Sequence, residues 1–239
     1  MGPRLASISK QIHWSLLIRS VLFAASWLYL PGWLFVLVAS AVYFFPPFES
    51  RKNLAFFLVF LGVALATPGS ILMAVLYGAL WYYLLLIKDL LVIDRKSGRT
   101  ILAMAIAFFL FREFFAAWHA GFSSGALFWA WVAGAAFGVL LNAVIVARHG
   151  KEVSGREALP RRIAVGTASL AVLELLMAGL FLPVDFIYQS IVAFLAAALV
   201  LDLVPAYFFG ELDPRRIRTT AMAIAILFVI VLASAKWGI

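Results

Sequence analysis

What most constrains this chain is a succession of long apolar runs with almost nothing between them. A helix needs about 20 predominantly apolar residues, within about 17–25, to cross a hydrocarbon core of about 30 Å. Nine segments approach that rule in turn: 12–30, 33–46, 53–66, 70–87 with an extension towards 93, 101–121, 126–147, 163–182, 185–209 and 219–235. The chain is 66% hydrophobic and only 13% charged, with a mean hydropathy of +1.07. A soluble domain is about half apolar and about a quarter charged, and one dry core of this composition would leave too few polar residues to cover its surface. The sequence therefore predicts an all-α, polytopic integral membrane bundle of about nine transmembrane helices. It forms a single transmembrane domain of four helical hairpins (12–46, 53–93, 100–147 and 163–209) and a final helix, 219–235. At about 14 residues, the second and third segments reach only about 21 Å. Seven spans plus two half-buried helices is the alternative.

The basic residues supply a sidedness. Numbered alternately, one set of connections holds Arg4 and Lys10, then Arg51 and Lys52, then Arg95, Lys96 and Arg99. The same set holds Arg148, Lys151, Arg156, Arg161 and Arg162, and finally Arg215, Arg216 and Arg218. The opposite connections, around Pro31, Pro68, Ser123 and Pro183, hold no Lys or Arg. Short cytoplasmic loops collect Lys and Arg, so the N-terminus is predicted cytoplasmic, the C-terminus with Lys236 outside, and the location a cell membrane. This pattern also accounts for the formal charge of +8: the basic loops orient the chain and meet anionic lipid, and no nucleic-acid partner is expected. Trp14, Tyr43 and Tyr207 are placed at the inner interface, and Tyr29, Trp33, Trp118, Trp129 and Tyr188 at the outer one.

Several chemistries lack their residues. Without cysteine there is neither a disulfide nor a thiolate metal site. No G-x-x-x-x-G-K-[ST] or H-E-x-x-H motif is present, and His13 and His149 fall on the opposite side from His119. The outline is similar to that of the intramembrane prenyltransferases, but Asp185 and Asp202 lack the paired aspartate-rich motifs those enzymes need. No catalytic residue, metal or cofactor is therefore expected.

The candidate site lies in the fifth segment, which carries Arg112 and Glu113 side by side and His119 further along Arg112's face. Ionisable residues at such depth cost roughly 2.5–3.5 kcal/mol at a helix centre and are functional by default. Arg112, and Glu174 on a helix of the same direction, each lie about 18–20 Å from the cytoplasmic end at about 1.5 Å per residue. Equal depth predicts an Arg112–Glu113–Glu174 cluster, read either as a substrate or ion-coupling site or as an ion pair that fixes packing. Asn142 and Asp202, nearer the cytoplasm, are predicted to bridge helices or line an inner vestibule. Asp185 is read as a helix cap, and snorkelling suffices for Arg19, Lys88 and Asp89. The first functional expectation is a small transporter or flippase-like carrier. The second is a non-catalytic subunit packing against a membrane partner or a second copy, and the third an intramembrane lipid-modifying enzyme. The topology has a direct check. A cysteine at Ser123 is expected to react with an impermeant maleimide from outside the cell and one at Ser154 is not; the reverse pattern would invert the orientation.

Overall fold

The computed structural model describes residues 13–45, 47, 50–89, 95–121, 125–149, 155–208, 210–235 and 237. Among these residues there are nine α-helices and no strand: α1 (Trp14–Tyr29), α2 (Gly32–Phe44), α3 (Ser50–Ala66), α4 (Ile71–Lys88), α5 (Arg95–His119), α6 (Ala126–His149), α7 (Gly155–Gly179), α8 (Phe186–Phe208) and α9 (Pro214–Ser234). The nine helices fall on the nine apolar segments. Six of them, α4 to α9, are long and apolar enough to cross a membrane. The other three have 16, 13 and 17 residues. The third is longer than its apolar run because Ser50, Arg51 and Lys52 form its first turn, where charged side chains reach solvent without cost to the helix. Likewise α5 takes in the basic residues from Arg95 onward. Apolar patterning marks the part of a helix that sits in lipid, not where its hydrogen bonding stops.

Local chemistry sets the ends. Ser70 accepts a hydrogen bond from the Met73 N–H at 3.3 Å, and Asp213 accepts from the Arg215 N–H at 3.2 Å with Pro214 in the first turn; both are N-caps. Asp185 accepts from the Ile187 N–H at 2.9 Å, the capping role expected of it. At the end of α8, Gly210 adopts φ 64° while its N–H bonds Tyr207 O at 3.1 Å and the Glu211 N–H bonds Ala206 O at 3.0 Å. This is the left-handed stop that glycine takes most cheaply.

Contacts divide the chain into two compact units, Met1–Arg95 and Lys96–Ile239. In the first, α1 lies against α4 and α2, α2 against α3, and α3 against α4. Aromatic rings fill the centre. Phe23 stacks on Trp81 with centroids 4.1 Å apart and meets Phe35 edge-on at 5.2 Å, while Tyr43 stacks on Phe57 at 4.2 Å. Tyr43 is thus fully buried within the unit, with its hydroxyl donating to Ser50 O at 2.8 Å. Trp27 Nε1 donates to Ala64 O at 2.6 Å. Such ring pairs add about 0.5–1.5 kcal/mol each beyond burial, which matters most where three of four helices are short.

The second unit is held differently. Helix α6 packs on α7 and α8, α7 on α8, and α8 on α9. A Cβ on Gly134 would lie 3.2 Å from Ser169 O, and one on Gly138 would overlap Ser169 Oγ. Two glycines four apart let the α6 and α7 backbones approach closely, the packing mode of membrane helices. Helix α5 makes its contacts through rings instead: Phe108 on Phe194 at 5.7 Å, Phe111 on Phe137 at 6.2 Å, and Phe115 beside Gly179. None of the α9 span is buried, and Met222, Ile226, Val229 and Ile230 all face outward. A helix apolar on every side needs lipid around it.

These glycines generate a paired test. Gly138→Leu is expected to lower stability by about 1–3 kcal/mol or more through overpacking. Gly166→Leu, where a new Cβ meets nothing within 4 Å, is expected to be neutral. Thermal melting of the purified full chain in detergent distinguishes the two.

Candidate functional site

The sequence-predicted site residues all lie in the second unit. Arg112 Nη1 and Glu113 Oε1 form an ion pair. Although consecutive residues on a helix diverge by about 100°, the long Arg112 side chain reaches back to its neighbour. The guanidinium also lies 6.0 Å from the centroid of Phe186, over the ring. With 26% of the Arg112 side chain and 10% of that of Glu113 exposed, the pair is neither sealed nor fully open.

One face-repeat later, His119 Nε2 lies 3.1 Å from Gln189 Oε1. Gln189 Nε2 donates to Leu182 O at 3.0 Å, which fixes the amide with its oxygen towards the histidine. That oxygen only accepts, so His119 carries its proton on Nε2 and donates. Gln189 is 2% exposed and stands in the first turn of α8. It was not among the expected site residues, although a glutamine inside an apolar run is itself a signal. Phe186, whose ring is 6.1 Å from that of His119 and also beneath Arg112, joins the two polar groups into one chain from mid-helix to helix end.

Glu174 does not join them. The inner stripe of α7 is Ala168, Val172, Leu176 and Gly179. Glu174 is two residues from Val172 and from Leu176, about 200° round the helix, and its side chain is exposed with no hydrogen bond or ion pair among the described residues. Distance along a helix axis carries no information about azimuth. Asp202 accepts from Thr220 Oγ1 at 3.4 Å and so ties α8 to α9 rather than reaching Asn142. Asn142, half-buried on α6, makes no side-chain hydrogen bond among the described residues.

A second polar cluster stands in the first unit, where surface snorkelling was expected. Lys88 is 0% exposed, with Nζ 2.9 Å from Asp89 Oδ1 and 5.7 Å from the centroid of the Tyr43 ring. Arg19 Nη1 lies 3.5 Å from Asp89 Oδ2, and its guanidinium is 5.9 Å from the Phe45 ring centroid. These groups meet because α1 and α4 are antiparallel neighbours, which brings residue 19 of one beside the end of the other. No group of three or more His, Cys, Asp or Glu able to hold a metal occurs among the described residues.

Helices of this length and composition make the chain an all-helical, multi-pass membrane protein. Compared with protein-family models, curated proteins and solved structures, it matches none.

The geometry revises which charges should couple. In a double-mutant cycle on thermal stability, Arg112→Gln with Glu113→Gln is expected to give a coupling of about 1 kcal/mol or more. Arg112→Gln with Glu174→Gln is expected to be additive within about 0.5 kcal/mol. Coupling to Glu174 of the same size as to Glu113 would contradict the observed pairing.

Proposed function

We propose that the protein is a small carrier of the flippase type, with all nine helices in a cell membrane and the N-terminus cytoplasmic. The observation that supports it is a charged pair part-way along the apolar 24-residue span Lys96–His119 of α5, with the arginine a quarter exposed. A purely structural pair would be expected to be fully enclosed, because leaving charges open to hydrocarbon is the costlier arrangement. Arg112 has an intramolecular anion in Glu113 and can exchange it for an anionic headgroup. Phe186 holds the guanidinium by a cation–π contact while the partner changes, and His119 with Gln189 forms the polar entrance at the helix end. Exchanging one anion for another keeps the arginine neutralised throughout, so passage never leaves a bare charge in the membrane.

One observation favours a second reading, a non-catalytic subunit. Glu174 stands exposed on a span-length helix without a partner among the described residues, and a charge in hydrocarbon calls for a neighbouring polar or basic group. A membrane partner bearing a cation, or a second copy, would supply one.

Proteoliposomes holding the full chain and a fluorescent short-chain phospholipid separate the readings. The carrier is expected to speed translocation, measured as dithionite-accessible fluorescence. Arg112→Gln is expected to reduce that rate by about tenfold or more, on the scale of about 1.4 kcal/mol per decade, with melting little changed. If melting and protein level collapse in Arg112→Gln while any flux is unaffected, the carrier reading fails. If Glu174→Gln alone releases a co-purifying membrane protein and the intact chain moves no lipid, the subunit reading replaces it.

A further inference from the structure

We propose that Glu174 binds Arg112 of a second copy, so that the protein self-associates through α7 of one chain and α5 of the next. The proposal does not rest on the carrier reading, in which Glu174 has no part. Two unmet demands are the first observation. Glu174 is exposed on α7 and has no hydrogen bond or ion pair among the described residues. It lies about 7.5 Å inside the end of the helix, beyond which Leu180, Phe181 and Leu182 continue the apolar run. Arg112 bonds Glu113 through Nη1, its side chain stays a quarter exposed, and its remaining N–H groups have no acceptor among the described residues. A carboxylate and a guanidinium part-way along spanning helices find no partner in lipid tails and pair with protein groups instead.

Height is the second. Copies in a membrane share one orientation, so a closed symmetric assembly turns about an axis along the membrane normal. Rotation about that axis leaves height unchanged, and groups that pair between copies must stand at the same level. Phe115 registers α5 against α7, since a Cβ on Gly179 would lie 2.8 Å from Phe115 Cζ. Arg112 precedes Phe115, and Glu174 precedes Gly179, by about 4.5 and 7.5 Å along helices predicted to run in the same direction. The difference of about 3 Å is less than one helical turn of about 5.4 Å. The complementary cation is thus present in the same chain and at the required level, which favours a second copy over a foreign helix.

The face around Glu174 is the third. Thr167, Ala171, Glu174 and Ala178 are all exposed, at the three- and four-residue spacing that puts them on one side of α7. Only 28% of the α7 span is buried. The outward residues of α9, Met222, Ile226, Val229 and Ile230, are bulky and suit lipid; those beside Glu174 are small. Small side chains let a second helix approach closely, and the planar guanidinium fork matches a carboxylate. Patches on the same side of the unit close as a dimer and patches on different sides close as a ring, with the same contact in both. The Arg112–Glu113–Glu174 cluster expected from the sequence is then assembled between chains rather than within one. Within a dispersed monomer Arg112 and Glu174 remain additive, and their coupling arises only where copies assemble.

The chain contains no cysteine, so introduced thiols report without background. Two full-length copies with different tags are co-expressed, one carrying Ala116→Cys and the other Ala178→Cys, each one turn beyond its charged residue. Oxidation of the membranes with copper phenanthroline is expected to give a disulfide-linked pair bearing both tags. Ile163→Cys in place of Ala178→Cys, on the same face but about 22 Å lower, is expected to give none. Adding Glu174→Gln is expected to lower the yield by about three- to tenfold, the range of a polar contact between membrane helices. Arg112→Gln is expected to lower it similarly; should that variant fail to fold, the exposed Glu174→Gln decides. A chain that moves no lipid yet forms the mixed pair sinks the carrier reading and supports this one. No mixed pair from folded copies, a yield indifferent to Glu174→Gln, an equal yield with Ile163→Cys, or Ala178→Cys linking to itself in preference would overturn the proposal.

Discussion

Hydrocarbon offers no partner to a charge or a peptide group, so in this protein polar atoms are answered from within the chain or left as a local demand. Among the described residues the regular backbone structure is helical throughout, as expected where water is absent. Side-chain demand is met by proximity: Arg112 takes the residue next to it, Lys88 the residue after it, Asp202 a hydroxyl on the adjoining helix and Gln189 the turn before its own helix. These partners are close in sequence or on neighbouring helices, because the first available group is the cheapest one to reach. Where proximity fails among the described residues, at Glu174, the residual demand is what suggests an external partner.

The two units answer the same solvent with different packing. In the first, helices of 16, 13 and 17 residues have little length over which to accumulate contact, and stacked rings concentrate it. In the second, long helices spread it, so Gly134 and Gly138 can bring two backbones together with little side-chain volume between them. Without a hydrophobic force between helices in lipid, close packing supplies the attraction. Aromatic bulk serves short helices and its absence serves long ones.

The number and order of the helices among the described residues were legible in the sequence because burying a helix in lipid demands a run of apolar residues whatever its neighbours are. Which face of each helix turns inward was not. Segments α6 to α8 are apolar all round, so hydropathy gives no direction, and Glu174 could be placed by depth but not by azimuth. The direction was written instead in small residues: the Gly134–Gly138 spacing on α6, and Ala168 and Gly179 on the inner stripe of α7. Lys88 presents a related ambiguity. A lysine followed by an aspartate at the end of an apolar run reads alike whether it reaches outward or folds back, and only the arrival of Arg19 from α1 decides it.

That arrival has a structural cause. Helix α1 can bring Arg19 to the end of α4 because Gly78 lets the two backbones approach: a Cβ there would lie 3.2 Å from that of Ala24 and 3.6 Å from Ser20 O. The same approach sets Phe23 flat against Trp81 and Trp27 edge-on to Tyr77. One small residue in mid-helix therefore fixes both the aromatic core and the register in which three charges meet at the helix end.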